Sequence, residues 1–172
     1  MSVDNQTVGK NEEAKENKEA ARYLAFSLGG EDYAIPLLQV KEVMGLTEIT
    51  KVPHTPPHFK GIMNLRGQVI SVIDLRVKFN ISSSENSSET AIIILDLAPV
   101  YLGVIVDHID SVLAIDADQL APPPDIETKL GVDYITGVAK KDKKLILMLD
   151  LEKTLSVEDL KAMHRKNAET AA

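Results

Sequence analysis

Apolar and polar positions alternate from the first patterned stretch of the chain. Leu24, Phe26 and Leu28 take every second place, Gly29-Gly30-Glu31-Asp32 follows, and Tyr33-Ala34-Ile35 resumes the pattern. A period of two interrupted by glycines predicts a β-hairpin. Leu37, Val40 and Met44 fall at helical spacing over barely two turns, so that segment reads either way. Thr47 to Val52 reads as a short strand that Pro53 stops, and Pro56-Pro57 hold an irregular connection to Phe59. A second hairpin turns at Arg66-Gly67, rises through Val69-Ile70-Ser71-Val72-Ile73 and ends on Asp74-Leu75. One helical turn from Leu75 to Phe79 completes this half.

The stretch Asn80 to Glu89 is almost wholly Ser, Asn and Glu and predicts a flexible surface loop. Beyond it the same order of events returns. Ala91 to Leu97 reads as a strand, Pro99 as a turn and Tyr101 to Val106 as a strand, while Ile109 and Val112 echo Val40 and Val43. Pro122-Pro123-Pro124 echo the earlier prolines, and Ile135 to Ala139 with Leu145 to Asp150 make a last hairpin that also leaves through Asp-Leu. Recurrence over about 60 positions predicts two structural copies. Each has about five short strands, the make-up of a small closed barrel. A unit of that size buries only ~60% of its unfolded surface, so the copies should pack together, creating a seam suited to binding.

The boundaries follow from the pattern. Residues 1–20 are nearly all polar and predict a disordered tail, residues 21–155 carry the alternation, and 168–172 should fray. Within the patterned part the expected subdomains are 22–80 and 90–153, separated by the loop at 80–89. Ser156-Val157-Glu158-Asp159 has capping-box character and predicts a short helix over 156–167.

Composition narrows the function. The net charge of −7 speaks against a nucleic-acid-wrapping protein, and the absence of cysteine removes disulfides and thiol chemistry. No window predicts a membrane span, and the start is too polar for a signal peptide, so the expectation is a soluble cytoplasmic chain. His54 and His58 stand four apart across Pro56-Pro57, cannot share a helical face, and bring no third ligand, so no metal site is expected. Asp74 and Asp150 occupy equivalent places at helix starts and read as caps rather than a catalytic pair. No phosphate loop, nucleophile elbow or zinc helix occurs. Lys140-Lys141-Asp142-Lys143-Lys144 lies between strands without interleaved aromatics and reads as a solvated hairpin tip. Arg66 has two readings: a structural salt bridge to an acid such as Glu42, or a charged anchor for a partner.

The run Asn64-Leu65-Arg66-Gly67…Val72-Ile73-Asp74-Leu75-Arg76 resembles the signature of the CheW family, bacterial chemotaxis adaptors that join receptors to the histidine kinase CheA. Tyr33-Ala34-Ile35, Val40-Lys41-Glu42-Val43, Phe59-Lys60-Gly61-Ile62, Gly103-Val104-Ile105-Val106-Asp107 and Tyr134-Ile135-Thr136-Gly137 extend the resemblance over Tyr23 to Leu155. It implies an all-β fold with short helices, two tandem five-stranded SH3-like β-barrels packed around a hydrophobic junction. It implies no enzyme activity and no cofactor. The expected partners are the tip of a chemoreceptor's cytoplasmic helical hairpin and the regulatory domain of CheA, held by a protein monomeric alone and recruited to receptor arrays. By position, Val40, Glu42, Val43, Gly61, Arg66, Gly67 and Ile92 would meet the receptor, and Thr47, Ile49, Thr50 and Val69 the kinase. A second kinase contact would involve Ala121 and Ile126, where family members carry a basic residue and an aromatic. The family's signature often has Pro where Ser71 stands. The resemblance also admits a non-flagellar pathway, serving surface motility or second-messenger control.

Overall fold

The computed structural model describes residues 20–81, 85–123 and 134–155. Residues 1–19 of the expected tail, the helix expected at 156–167, residues 168–172 and Ile126 lie outside the described residues.

Alternation yields strands where it was strongest. The first hairpin is β1 (Ala21–Leu28) and β2 (Glu31–Pro36), turning on Gly29 and Gly30 with φ of 58° and 84°. The ambiguous segment divides: Leu37–Gln39 makes one 3-10 turn, and Val40–Gly45 is strand β3. The signature hairpin is β4 (Phe59–Leu65) and β5 (Gln68–Asp74), followed by the single-turn helix α1 (Leu75–Lys78). The later half gives β6 (Ala91–Leu97), β7 (Val100–Val106), β8 (His108–Ile115) and the two-residue β9 (Leu120–Ala121). Strands β10 (Ile135–Lys141) and β11 (Lys144–Leu149) and the short helix α2 (Leu151–Thr154) complete it. The strand expected over Thr47 to Val52 is reduced to one bridge, Thr50 opposite Ile62.

Two sheets result, one of six strands in the order β8-β1-β2-β11-β10-β9 and one of five in the order β3-β6-β7-β5-β4. The duplication holds at the level of register. Val40 pairs Leu95 and Glu42 pairs Ile94, skipping Lys41; Ile109 pairs Phe26 and Ser111 pairs Ala25, skipping Asp110. Each sheet also has one parallel pairing at the matching place, β5 with β7 and β11 with β2. The sixth strand, β9, bridges Val138 to Ala121 where the other sheet has the Thr50–Ile62 bridge.

The two sheets do not coincide with the stretches 22–80 and 90–153. The leading hairpins are exchanged between copies: β1 and β2 pair with β8 and β11, and β6 and β7 pair with β3 and β5. The five-stranded sheet is therefore built from one continuous stretch, β3 to β7, and the six-stranded sheet from both flanks of it. Chain order fixes the sequence of strands, while side-chain complementarity across the sheets decides which hairpin completes which sheet.

The exchange follows from burial on both faces. On β6, Ile93 and Leu95 enter a cluster shared with Leu24, Phe26, Leu28 and Ile35 of the six-stranded sheet, while Ile92 and Ile94 face a second cluster within the five-stranded one. The largest cluster thus draws on both sheets, and a smaller one belongs to each sheet alone. Leu75 and Leu151, first residues of the two helices, both belong to the shared cluster and line one small cavity with Leu102 and Val104. The two preceding Asp side chains cap them, Asp74 Oδ1 accepting from Arg76 N at 2.9 Å and Asp150 Oδ1 from Glu152 N at 3.0 Å.

Candidate functional site

The β4–β5 turn has two residues, Arg66 and Gly67, with φ of 50° and 86°. Both lie in the left-handed region, which matches the twist of a tight hairpin. A left-handed arginine is unusual, and Asn64 helps to hold it: its Oδ1 accepts from Gly67 N at 2.9 Å. The turn projects Arg66, whose side chain is 75% exposed and whose Nη2 donates to Glu42 Oε2 at 3.0 Å. Glu42 lies on β3, at the far side of the sheet order from β4, so the pair draws the two edges of the five-stranded sheet towards each other. The salt bridge to Glu42 is present, and the guanidinium is left mostly in water.

Edge strand β3 carries the rest of this corner. Val40 packs on the shared core; Val43, opposite Ile93, faces the same side but remains 41% exposed. Lys41 stands 3.9 Å above the ring of Tyr101, which packs against the cluster inside the five-stranded sheet. Sequence reasoning missed this contact, since a lysine and tyrosine 60 residues apart give no local signal.

Two expected receptor residues belong elsewhere. Ile92 is fully buried opposite Met44 in the inner cluster, so it supports β3 from behind and presents nothing to a partner. Both faces of β6 are apolar, which erased the alternation that would have marked it as core. Gly61 is buried with φ of 143°, and an added Cβ would fall into the Thr50 carbonyl. Its freedom serves the chain's own bridge, Thr50 N to Ile62 O at 2.8 Å and Ile62 N to Thr50 O at 2.9 Å. Gly67, in contrast, is exposed with open space around it.

Of the residues expected to meet the kinase, Thr50 and Val69 share one face of the β4 edge with Ile62 and Asn64, and Val69 is 37% exposed. Ile49 points the other way and packs on the inner cluster. Thr47 and Ile49 border an open depression of about 420 Å³ with Leu46, Lys51 and Lys60. Ala121 is exposed and occupies in the other sheet the place of Thr50.

Two polar clusters lie outside this region. Buried Arg76 donates from Nε and Nη2 to both Asp74 oxygens at 3.0 Å, from Nη1 to Asp107 at 3.3 Å and from Nη2 to Asn86 at 2.8 Å. The hydrogen bonds Arg76 donates to Asp74, only partly opposed by burial, raise its pKa further, so it ties α1, the β7–β8 connection and the Ser-rich loop as a permanent cation. Near the start of β8, Ser27 Oγ lies 3.1 Å from His108 Nε2, which is 2.7 Å from Asp110 Oδ1. Serine and aspartate meet the same ring nitrogen, so this trio cannot pass a proton through the imidazole as a hydrolase triad does. Among the described residues no group of His, Cys, Asp and Glu is arranged to hold a metal ion.

What the molecule presents, then, is surface: an edge strand with apolar residues at its rim, an exposed ion pair at a rigid corner, and a second face of small and β-branched side chains. That is the make-up of a scaffold that docks other proteins. The comparisons agree. Residues 22–159 match the family model of the CheW-like domain. The chemotaxis protein CheW of Klebsiella aerogenes is 36% identical over 138 residues, 80% of this chain and 83% of the relative. CheW of Bacillus subtilis is 32% identical over 143 residues, covering 83% and 92%. The crystal structure of the scaffolding protein TtCheW from Thermoanaerobacter tengcongensis superposes with a TM-score of 0.75 at 36% identity, covering 81% of this chain and 95% of that one. The chain belongs to the CheW family, and its role is that of a chemotaxis adaptor.

Proposed function

We propose that this adaptor couples chemoreceptors to the histidine kinase CheA without catalysing a reaction itself. The receptor's helical hairpin tip docks at the corner formed by Val40, Glu42, Val43, Arg66 and Gly67, and the regulatory domain of CheA docks on the face carrying Thr50 and Val69, beside Thr47. The observation that carries the reading is the Arg66–Glu42 pair, fixed by a left-handed turn yet 75% and 24% exposed. Apolar Val40 and Val43 accept the stripe of a helix, while the charged pair sets its register. Holding both partners, the chain lets receptor state govern kinase autophosphorylation. It works in the cytoplasm at receptor arrays, monomeric until recruited; no helix among the described residues is long and apolar enough to cross a membrane. The relatives' names favour chemotaxis over a motility or second-messenger pathway.

The test is co-sedimentation with receptor-bearing membranes and CheA. Wild type should bring CheA down with the membranes. Arg66→Ala should lose receptor capture while still binding CheA, and Val69→Asp should do the reverse. Failure of the wild type to capture either partner, or a global loss of folding in Arg66→Ala, overturns the reading.

A further inference from the structure

The matching registers of the two sheets put equivalent positions to different uses. Lys41 in β3 and Asp110 in β8 are the residues skipped at the same place in each copy. One residue beyond the equivalent Leu95 and Phe26, Asp96 stands opposite Tyr101 and Ser27 opposite Asp32. In the five-stranded sheet these places bring together a cation and a ring, Lys41 Nζ lying 3.9 Å above Tyr101. In the six-stranded sheet they bring together two carboxylates. Both converge on one hydroxyl, for Ser27 Oγ lies 3.3 Å from Asp32 Oδ1 and 3.3 Å from Asp110 Oδ2. Among the described residues no lysine or arginine pairs with either carboxylate.

Donors are scarce here. Ser27 has one proton to give, and the imidazole spends another on the 2.7 Å contact from His108 Nε2 to Asp110 Oδ1. Neighbouring Asp107 is already engaged, by Arg76 and by the Gly29 N–H at 2.7 Å. The cluster is open to a partner: the side chains of Asp110 and His108 are 31% and 41% exposed, and they border a cavity of about 960 Å³. Leu113 and Leu145 give that cavity apolar walls, and Lys141 and Lys144 line it from the β10–β11 turn. Relative to its counterpart, the cavity lacks its cation. A guanidinium supplies one, because its planar fork bonds both carboxylates while its aliphatic stem lies along the two leucines. A small polyamine would set further positive charge against Lys141 and Lys144. Acidic neighbours of an arginine would instead pair with those lysines. We propose that this cavity is a further docking site, which takes an arginine side chain from an acidic segment of a partner protein where the other copy uses its own Lys41. The site lies on the six-stranded sheet and does not depend on the receptor or kinase readings above.

The experiment follows the amide NMR signals of the full chain during titration with the blocked peptide acetyl-Glu-Arg-Glu-amide. A second titration uses the same peptide with citrulline in place of arginine, which keeps the shape and removes the charge. The arginine peptide should move the signals of Ser27, Asp32, His108 and Asp110, and the citrulline peptide should bind about tenfold more weakly. Asp32→Asn and Asp110→Asn should each weaken the arginine peptide about tenfold. Asp110→Lys provides the cation from the chain itself and should abolish binding while thermal melts show the fold retained. Equal binding of the two peptides, or signals that move only elsewhere, overturns the proposal. Wild-type affinity in both asparagine variants does the same, and these two variants decide alone if Asp110→Lys does not fold. Spermidine displacing the arginine peptide at a lower concentration would mark a site for a small amine, and would overturn the protein contact.

Discussion

Gly61 and Arg66 lie five residues apart in one hairpin and do opposite work. At Gly61 the backbone takes a φ of 143° against the Thr50 carbonyl, so Gly61→Ala must push the bridge apart and should cost about 3 kcal/mol by denaturant unfolding. At Arg66 the ion pair is largely hydrated, so Arg66→Ala should change stability by less than about 1 kcal/mol while changing partner capture. Tyr33 gives a third residue-level prediction. Burial, then Glu31 and Tyr134, raise its hydroxyl above the ordinary value of 10.0. The folded chain holds that proton more tightly than the unfolded one. The associated stability is therefore whole below about pH 10 and is lost as pH rises through the folded value. Thermal melts from pH 9 to 11 should fall less steeply for Tyr33→Phe than for wild type. The Arg-Gly corner was legible in the sequence because a left-handed turn leaves a local mark. The Glu42 contact was only one candidate among several acids, since folding alone brings together two residues 24 positions apart.

The two Asp-Leu helix starts look alike in sequence and differ in consequence. Asp150 caps α2 with bonds to the N–H groups of Glu152 and Lys153, and Asp150→Ala should cost about 1 kcal/mol. Asp74 caps α1 and also faces the guanidinium of Arg76, whose side chain is 4% exposed. Asp74→Ala leaves that cation buried with one of its partners gone and should cost about 3–5 kcal/mol in urea unfolding. Capping was legible because it needs only local spacing; the buried ion pair was not, although Arg76 follows at two residues. The failed strand at Thr47 to Val52 has a similar origin. Its residues have β propensity, yet only Thr50 finds a partner, because pairing beyond it depends on Gly61 and on the prolines that follow.

Across the whole molecule the repeat was legible and the exchange was not. Strand order and the echo of Val40 and Val43 in Ile109 and Val112 came through, because both copies keep the same apolar spacing. Which hairpin completes which sheet is a matter of complementary faces far apart in the chain, and no local period records it. The exchange makes a prediction that tandem halves would not. A cut in the Ser-rich loop divides the five-stranded sheet between β5 and β6 and strips the six-stranded sheet of its first hairpin. Fragments 1–84 and 85–172 should each lack cooperative melting alone, and mixing them should restore one transition by circular dichroism. Two separately melting fragments would contradict the shared core.

The five-stranded sheet occupies one unbroken stretch of the chain, while the first and last described strands, β1 and β11, belong to the other sheet. Reordering or extending the flanks would therefore leave the stretch that carries the Arg66 turn contiguous in the chain.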